Sequence, residues 1–401
     1  MDVLTKFRKL LLQSFSFPSI SWLANTEEQP EIIQNGRFVW PAEWDRHTAT
    51  ILGFPSRCSL PPNQYDAFCR ELVQLAAAIA EFEPVRLHVR PEDKNLAQYL
   101  IDNTIEDASN ITLVPSPVNH PWVRDTGPVY VRDTVYPNRR VAVNFRFNEW
   151  GGKAPENDGV CWGQQWPLMD DKTLRENENW ARWVIDNDLD PAPVSRIDAL
   201  IRAEGGGLVS DGDGTLIISE SCIVDEARNP GMTKAEIEAE LKRLLGIEKV
   251  LWFPGRKNID ITDDHMDAEA RFVRPGVVVH SKPHDMGPAL WKELSEEIQE
   301  ILGRSTDAKG RKLEVHILEE PDPSKMVSSE DEEPAISYVN FHFVNGGVVI
   351  PQFGDEERDQ KALDLMQRLL PDKKIRQVRV NAIPLTGGVL HCVTQQVPAI
   401  E

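Results

Sequence analysis

Four separate segments of the chain carry side chains that could together perform nucleophilic chemistry. Near the C-terminus, Cys392 follows two glycines in a short apolar run. Upstream, Asp125 lies in the string Trp-Val-Arg-Asp-Thr-Gly-Pro, and Glu204 directly precedes three glycines. His265 and Asp267 flank a single methionine. The set combines a thiol, an imidazole and three carboxylates.

These residue types are suited to hydrolysis of a guanidino group. A guanidinium ion is planar, and its N–H donors form a fork that carboxylates such as Asp125 and Asp267 can bind through both oxygens. The thiolate of Cys392 could attack the guanidinium carbon. His265 could donate a proton to the departing ammonia and then accept one from water, and Glu204 could keep His265 protonated. The predicted products are a ureido compound and ammonia, and this chemistry needs no metal and no organic cofactor.

Taken singly, each of these residues has an ordinary structural explanation. Most free cysteines are inert buried thiols, and an isolated aspartate is more often a turn residue or an ion-pair partner than a catalyst. The argument for a common site is a repeated pattern, in which a strand, a turn, a second strand, a helix and a third strand recur along the chain. Asp125, Glu204 and the pair formed by His265 and Asp267 each lie directly before the hairpin of such a module.

One module has especially clear local signals. An Asp-Gly-Asp-Gly turn at 211–214 separates two apolar runs, which is typical of a β-hairpin. A helix is predicted to begin at Thr233, where Glu236 completes a capping box, and to end at Gly246. A strand is then predicted at 249–252.

Further modules are predicted at 129–194, 268–317 and 338–380. The module at 50–88 lacks a first hairpin strand, and we expect the strand around Cys392 to supply it and so close a ring. Alternating helices and strands indicate an α/β domain. Because equivalent positions of radially arranged modules point to one axis, the polar residues should meet at one end of a central cleft.

The composition argues against several classes of function. The chain has 401 residues and a formal net charge of −20, without a basic stripe that could bind nucleic acid. No apolar run is long enough to span a bilayer, so we expect no membrane association. The five cysteines are few and widely spaced, which predicts a reducing, cytoplasmic location rather than a disulfide scaffold. A homodimer is expected only because such assemblies are common.

Composition also suggests the domain boundaries. Residues 1–38 combine a few bases with apolar residues and serines, and we expect a loosely ordered N-terminal extension rather than a cleaved signal. Residues 39–401 are predicted to form a single catalytic domain. Within it, the acidic, proline-bearing stretch at 319–334 is predicted to be a surface loop.

The sequence from Trp40 to Pro398 resembles the guanidine-modifying, or pentein, superfamily. Within that superfamily it is most similar to the branch of agmatine deiminases and bacterial-type (Porphyromonas-type) peptidylarginine deiminases. The motifs that carry the resemblance occupy 122–128, 148–152, 204–206, 228–230, 265–267, 351–355 and 391–396. The resemblance implies a five-bladed β/α propeller, in which pseudo-fivefold ββαβ modules surround a central active-site cleft.

The resemblance further implies deimination through a covalent thiouronium intermediate on Cys392. Asp125, Glu204, His265 and Asp267 match the family's catalytic residues. The substrate it implies first is agmatine, which would yield N-carbamoylputrescine and connect the enzyme to putrescine biosynthesis and polyamine metabolism. Arginine or peptidylarginine is the alternative substrate, and a catalytically inactive guanidine-binding pentein is a further alternative.

Some positions that bear on the substrate depart from the family pattern. The stretch 54–62 lacks the Asp-Asn-Trp element found in agmatine deiminases. Glu149 and Trp150 follow Asn148 where the peptidylarginine branch has two arginines that bind a carboxylate, so Arg146 is a candidate substitute. Trp122 could offer its aromatic face to a cation. The predicted substrate-binding residues are Trp122, Arg124, Arg146, Asn148, Trp150 and Gly388.

Two other chemistries would use part of the same residue set. A cysteine hydrolase acting on amides would also need Cys392 and His265, but Asp125 would then have no task. A zinc site could be built from His265, Asp267 and Cys392, which are suitable ligand types.

Overall fold

The computed structural model of the chain describes residues 31–33, 36–152, 169–190, 194–326 and 334–400. Within these residues the strands form five separate small sheets. The strands are β1 (Phe38–Val39), β2 (His47–Gly53), β3 (Val85–Val89), β4 (Ile111–Pro115), β5 (Val129–Asp133), β6 (Arg140–Asn144), β7 (Val194–Asp198), β8 (Val209–Ser210), β9 (Thr215–Ser219), β10 (Lys249–Phe253), β11 (Ala270–Arg274), β12 (Val277–Lys282), β13 (Glu314–Glu319), β14 (His342–Val344), β15 (Gly347–Gln352), β16 (Lys374–Arg379) and β17 (Thr394–Pro398). The longer helices are α1 (Tyr65–Ala80), α2 (Lys94–Thr104), α3 (Asp171–Asp186), α4 (Lys234–Leu245), α5 (Ala289–Arg304) and α6 (Glu356–Leu369). Short helical turns lie at Val123–Thr126, Glu149–Gly152 and Ala382–Leu385.

Each sheet contains the predicted ββαβ unit. β5 and β6 pair antiparallel, and β7 returns parallel to β6 after α3. The same order recurs in β8–β9–α4–β10, in β11–β12–α5–β13 and in β14–β15–α6–β16. The predicted α/β class is therefore confirmed, and every sheet is mixed because it contains one antiparallel and one parallel pairing of this kind.

The remaining module joins the N-terminal and C-terminal parts of the chain. β17 pairs antiparallel with β2, so that Thr394 lies opposite Leu52, and β3 lies parallel to β2 after α1. This confirms the prediction that the C-terminal strand completes the module at 50–88. The strand begins at Thr394, so Cys392 lies in the turn that precedes it.

Local signals account for α4 as the sequence predicts. The Thr233 hydroxyl accepts the backbone N–H of Glu236, and the Glu236 carboxylate accepts the backbone N–H of Thr233. These two bonds satisfy donors that the first helical turn leaves free. Gly246 ends the helix in the left-handed conformation with φ of 68°.

Other elements differ from the predictions. After β3, the helix α2 leads to β4, which extends the sheet that contains β17, β2 and β3. In another sheet, β1 pairs with β5 and adds a strand at that edge. The module predicted at 338–380 does not begin with a strand, because its first strand, β14, starts only at His342. The preceding residues instead form a turn toward the cavity described below, and Tyr338 in that turn donates its hydroxyl to Asp359 at 2.8 Å.

Two predicted segments pack more closely than expected. Phe38 and Ile33 are buried in one hydrophobic cluster, so ordered packing begins before residue 39, while 1–30 and 34–35 lie outside the described residues. Glu320 and Pro334, from the predicted surface loop at 319–334, line a cavity. Residues 327–333 of that loop lie outside the described residues. None of the helices in the described parts of the chain is both long and apolar enough to cross a membrane.

Candidate active site

Segments at the starts of the modules meet at one cavity of about 450 Å³. Asp125, His265, Asp267 and Cys392 line it. Glu204 lies behind His265, with 3.6 Å between Glu204 Oε2 and His265 Nε2. The structure thus brings together all five predicted catalytic residues.

Asp125 is held by hydrogen bonds to both of its carboxylate oxygens. Oδ1 accepts the backbone N–H of Gly206 at 2.9 Å, and Oδ2 accepts the indole N–H of Trp150 at 3.0 Å. Burial raises the pKa of Asp125, and the nearby carboxylates of Asp267 and Glu204 add to this effect, although the imidazole of His265 opposes it. A cation bound beside Asp125 would favour the ionised carboxylate.

The backbone comes unusually close to the catalytic side chains at Gly206. A Cβ atom there would lie 2.7 Å from both Asp125 Oδ1 and His265 Nδ1, so no other residue fits without displacing them. The Gly206 carbonyl accepts the backbone N–H of Asp267 at 3.1 Å. The middle one of the three glycines after Glu204 therefore sets the spacing of Asp125, His265 and Asp267.

His265 is an imidazolium at neutral pH. Its Nδ1 lies 3.6 Å from Asp125 Oδ1, and its Nε2 lies 3.6 Å from Glu204 Oε2. Burial lowers its pKa, but the carboxylates of Asp125, Glu204 and Asp267 outweigh burial and raise the pKa of His265 to about 9. His265 is therefore ready to donate a proton, and it can accept one only after doing so.

A buried ion-pair network fixes Glu204. Arg228 Nε donates to the two Glu204 oxygens at 2.8 and 3.1 Å, and Arg228 Nη1 donates to Asp263 at 2.7 Å. Burial raises the pKa of Glu204, but Arg228 and His265 outweigh it and hold this pKa below its usual range. The Arg-Asn-Pro motif signalled Arg228, but sequence reasoning assigned it no role.

Asp267 is oriented by a second network that the sequence did not reveal. His391 Nδ1 lies 2.7 Å from Asp267 Oδ2, and His391 Nε2 lies 3.0 Å from Glu43 Oε1. Arg271 also donates to Glu43. Burial raises the pKa of Asp267, but His391, His265 and Arg271 outweigh it and lower this pKa below its usual range. An ionised Asp267 is suited to bind a guanidinium.

The thiol of Cys392 is protonated when no cation is bound beside it. Its Sγ lies 3.7 Å from Asp267 Oδ2 and accepts a hydrogen bond from Asn340 Nδ2 at 3.3 Å. Burial, together with the carboxylates of Asp267 and Asp125, raises the pKa of the Cys392 thiol well above its usual range. A cation between these carboxylates would offset their charge and favour the thiolate.

Asn340 belongs to the site and was not predicted. It lies just before the β14 hairpin, which is the position that Asp125 occupies in its own module. Its Oδ1 accepts the backbone N–H of His391 at 2.8 Å, and its Nδ2 contacts the sulfur of Cys392. The repeat is the signal that could have identified Asn340, because a polar residue precedes the hairpin in the other modules.

Trp122, Trp150 and Gly388, which were predicted to bind substrate, line the cavity. A Cβ on Gly388 would lie 2.5 Å from the Trp122 ring, so the glycine allows the indole to pack beside the turn that carries Cys392.

Trp150 reaches Asp125 from a strained turn. Glu149 and Trp150 have φ values of 56° and 50°, in the left-handed region that non-glycine residues rarely adopt. The Glu149 carboxylate is fixed by His120 Nε2 at 3.0 Å. His120, which lies two residues before Trp122, thus supports the turn that presents the Trp150 indole.

Arg124, which was also predicted to bind substrate, lies outside the cavity. It is buried, its Nε donates to the His391 carbonyl at 3.4 Å, and its Nη1 lies 3.8 Å from Glu43 Oε1. Successive side chains of a helical turn point in different directions, so Arg124 does not share the environment of Asp125.

Arg146 and Asn148, which were also predicted to bind substrate, are not among the residues that line the cavity. Arg146 Nη2 donates to the carbonyl of Leu200 at 2.9 Å. Asn148 accepts the N–H of Gly151 at 3.1 Å and donates to the carbonyl of Ala227 at 3.1 Å. Both side chains therefore stabilise the loop that carries Trp150.

The zinc alternative finds no support in the geometry. Within the described residues, no group of three or more His, Cys, Asp or Glu side chains is arranged to hold a metal ion.

Comparisons with known proteins identify the family. Residues 39–398 match the model of the Porphyromonas-type peptidyl-arginine deiminase family. The agmatine deiminase of Ectopseudomonas mendocina is 34% identical over 377 residues, which cover 90% of this chain and 96% of the relative. The structure of an agmatine deiminase of Enterococcus faecalis matches with a TM-score of 0.77 at 27% identity, covering 92% of this chain and 99% of the other. The chain therefore belongs to the Porphyromonas-type peptidyl-arginine deiminase family, as the sequence motifs indicated.

Proposed function

We propose that the protein is a hydrolase that deiminates agmatine to N-carbamoylputrescine and ammonia. The observation that carries this proposal is the convergence of two buried carboxylates, Asp125 and Asp267, on a cavity that also holds a protonated imidazole and a thiol. A guanidinium needs carboxylates to bind its N–H donors, whereas an amide does not.

Substrate binding would activate the nucleophile. The guanidinium binds Asp125 and Asp267 and places its carbon beside Cys392. Its positive charge offsets the two carboxylates that otherwise keep the thiol protonated, so the thiol proton leaves to solvent.

The first chemical step forms a covalent intermediate. The Cys392 thiolate adds to the guanidinium carbon and gives a neutral tetrahedral adduct. His265 then protonates one nitrogen, the C–N bond breaks, and ammonia departs. A thiouronium cation bonded to Cys392 remains, beside a neutral His265.

The second step hydrolyses the intermediate. Neutral His265 removes a proton from water as the water oxygen adds to the thiouronium carbon. The C–S bond breaks, the electron pair returns to sulfur, and the ureido product leaves. The released ammonia takes up the remaining proton, and the Cys392 thiolate regains a proton from solvent once the cationic substrate is gone. One guanidinium and one water thus give one ureido product and one ammonium ion. Glu204 keeps His265 charged at the start and the end of the cycle.

Agmatine is favoured over arginine and peptidylarginine by the charge of the cavity and by the relatives, two of which are named agmatine deiminases. Among the lining residues that the structure describes, none is lysine or arginine. A substrate carboxylate would therefore lack a basic partner there, and Arg146, the candidate substitute, bonds to a carbonyl elsewhere.

The architecture forms part of the same proposal. A five-bladed β/α propeller in one catalytic domain, 39–401, would explain why Asp125, Glu204, His265 and Asn340 come together although each begins a different module. The homodimer and the cytoplasmic location stay predictions.

The direct test is product release by the purified protein. Agmatine is expected to yield ammonia and N-carbamoylputrescine in equal amounts, while free arginine and a peptide with C-terminal arginine give less than about 1% of that rate because their carboxylates meet an acidic cavity. Turnover of arginine at a comparable rate would contradict the substrate assignment. The absence of any ureido product from all three would contradict the deiminase itself.

The pH dependence of catalysis should reveal the charge of His265. Because its pKa is about 9, the imidazolium is present below that pH and is lost above it. We therefore expect kcat/KM for agmatine to decline above about pH 9, in a profile measured with the wild-type protein. Glu204→Gln should move the decline to lower pH, since it removes a carboxylate that stabilises the imidazolium. A rate that stays constant through pH 10 in both proteins would show that a protonated His265 is not required.

A further inference from the structure

More carboxylates line the cavity than deimination uses. The acidic lining residues are Asp125, Asp260, Asp264, Asp267, Glu269 and Glu320. The mechanism proposed above uses Asp125 and Asp267 on the substrate. In the described part of the cavity wall, no lysine or arginine offsets the remaining negative charge.

Asp264 is the most informative of the remaining acids. The residue is 1% exposed, and neither carboxylate oxygen accepts a hydrogen bond from another side chain among the described residues. An unpartnered buried carboxylate is costly. Its backbone adds to the cost, because φ is 77° and non-glycine residues rarely adopt such values. A carboxylate buried at the wall of a cavity at this double cost indicates that a cation binds nearby.

The acidic neighbours of Asp264 in the same loop have structural tasks. Asp263 pairs with Arg228 at 2.7 Å. Asp260 accepts the backbone N–H and the hydroxyl of Thr262 at 2.7 and 2.8 Å. These contacts stabilise the loop. Asp264 is the acid of this loop whose carboxylate has no side-chain partner among the described residues.

Glu269 and Glu320 lie together at the end of the sheet formed by β11, β12 and β13. Glu269 directly precedes β11, and His265 lies a few residues before it. Glu320 directly follows β13. Ser281 in β12 donates its backbone N–H to the Glu269 carbonyl at 2.8 Å and its hydroxyl to Glu320 Oε1 at 2.9 Å. The sheet therefore fixes the backbone of Glu269 and the side chain of Glu320 at the wall of the cavity.

These three carboxylates are difficult to ionise together. Burial, together with Asp264 and Glu320, raises the pKa of Glu269 well above its usual range. Burial raises the pKa of Glu320 to about 7. Burial together with Asp260 raises the pKa of Asp264 well above its usual range, although the charges of His265 and Arg256 oppose this effect. A bound cation would relieve this penalty. Because no set of described residues is arranged as metal ligands, an organic ammonium group fits better than a metal ion.

We propose that Asp264, Glu269 and Glu320 form an acidic subsite that binds the terminal ammonium group of the guanidino substrate. The inference rests on the proposed function, because it assigns the guanidinium to Asp125 and Asp267. Apolar lining residues are suited to the hydrocarbon chain between the two charges, and they include Ile261, Ile336 and Val389. The subsite thus selects substrates with a second positive charge.

The test compares agmatine with 1-butylguanidine, which has the same guanidinium and a four-carbon chain but no ammonium group. Wild-type kcat/KM is expected to be at least about 100-fold higher for agmatine. Glu269→Gln, Glu320→Gln and Asp264→Asn should each lower kcat/KM for agmatine by about 10- to 100-fold and change it by less than about 3-fold for 1-butylguanidine. Glu300→Gln, a substitution of an exposed glutamate in α5, is the matched control and should alter neither value.

Two results would overturn the subsite. One is equal use of both substrates by the wild-type protein, and the other is equal weakening of both substrates by the variants, which indicates a structural role. Thermal melting identifies a variant that does not fold. Asp264→Asn removes no hydrogen bond to another side chain among the described residues, so it provides the readout if a glutamine variant fails.

A binding measurement separates this inference from the proposed function. Cys392→Ala protein is titrated calorimetrically with 1,4-diaminobutane and with butylamine. Tighter binding of the diamine, weakened about 10-fold or more when Asp264→Asn is added, supports the subsite even if no guanidine is hydrolysed. Equal affinity for the two amines contradicts it.

Discussion

Replacement of Cys392 by alanine is expected to lower kcat for agmatine by about 100,000-fold or more while the substrate still binds. The variant keeps Asp125, Asp267 and His265, so the guanidinium retains its carboxylates and its proton donor. Water must then attack a resonance-stabilised cation directly, without the covalent intermediate that divides the reaction into two easier steps. Release of ureido product measures the rate, and calorimetric titration with agmatine measures the binding.

The matched control is Cys58→Ala. Cys58 is a free, half-buried cysteine that does not line the cavity, and its replacement should leave kcat within about 2-fold of the wild-type value. Cys392→Ala protein with more than a tenth of the wild-type activity would show that sulfur is not the nucleophile. Loss of binding together with activity would instead point to collapse of the site, which thermal melting detects.

Local sequence signals predicted the elements that depend on nearby residues. In the hairpin at 211–214, the Asp211 carboxylate accepts the backbone N–H groups of Asp213 and Thr215, each at 2.8 Å. The capping box at Thr233 is equally local. Such contacts connect residues within one turn of chain, so residue types alone suffice to predict them.

That the candidate catalytic residues meet at one site could be predicted from their positions rather than from their types. Each lies before the hairpin of a ββαβ module, and the incomplete module at 50–88 required the strand that follows Cys392. The same rule applied to every module would have included Asn340, which contacts the Cys392 sulfur at 3.3 Å. The repeat therefore identifies Asn340 as well as the residues that its type-based signals indicate.

Side-chain direction could not be predicted from the sequence. Arg124 directly precedes Asp125, yet it bonds to the His391 carbonyl outside the cavity. Glu320 belongs to an acidic stretch that resembles a surface loop, yet the register of β12 with β13 brings it onto Ser281 and into the cavity wall. Both outcomes depend on which face of an element meets which neighbour, and pairings between distant segments decide that.

Asp125→Asn is expected to lower kcat/KM for agmatine by about 1,000-fold, because it removes half of the charge that binds the guanidinium in a buried site. The local geometry strengthens the effect. Both carboxylate oxygens accept hydrogen bonds, one from Gly206 N–H and one from Trp150 Nε1–H. An asparagine has only one side-chain oxygen, so its NH₂ group would face one of these two N–H donors. The repulsion would rotate the side chain away from the productive orientation. Steady-state kinetics with agmatine measure the loss.

The same substitution separates guanidine chemistry from amide hydrolysis by Cys392 and His265. An amide hydrolase would need the thiol and the imidazole, and Asp125 would then affect catalysis only through the pKa of His265, which it raises. Deimination needs Asp125 on the substrate itself, so kcat/KM should stay low at every pH, including values at which His265 is fully protonated. Asp102→Asn, an exposed substitution in α2, is the control and should change kcat/KM by less than about 2-fold. Recovery of Asp125→Asn activity at low pH would show that Asp125 acts only through the pKa of His265. The assignment of a guanidinium substrate, which depends on Asp125 and Asp267 binding it together, would then be contradicted.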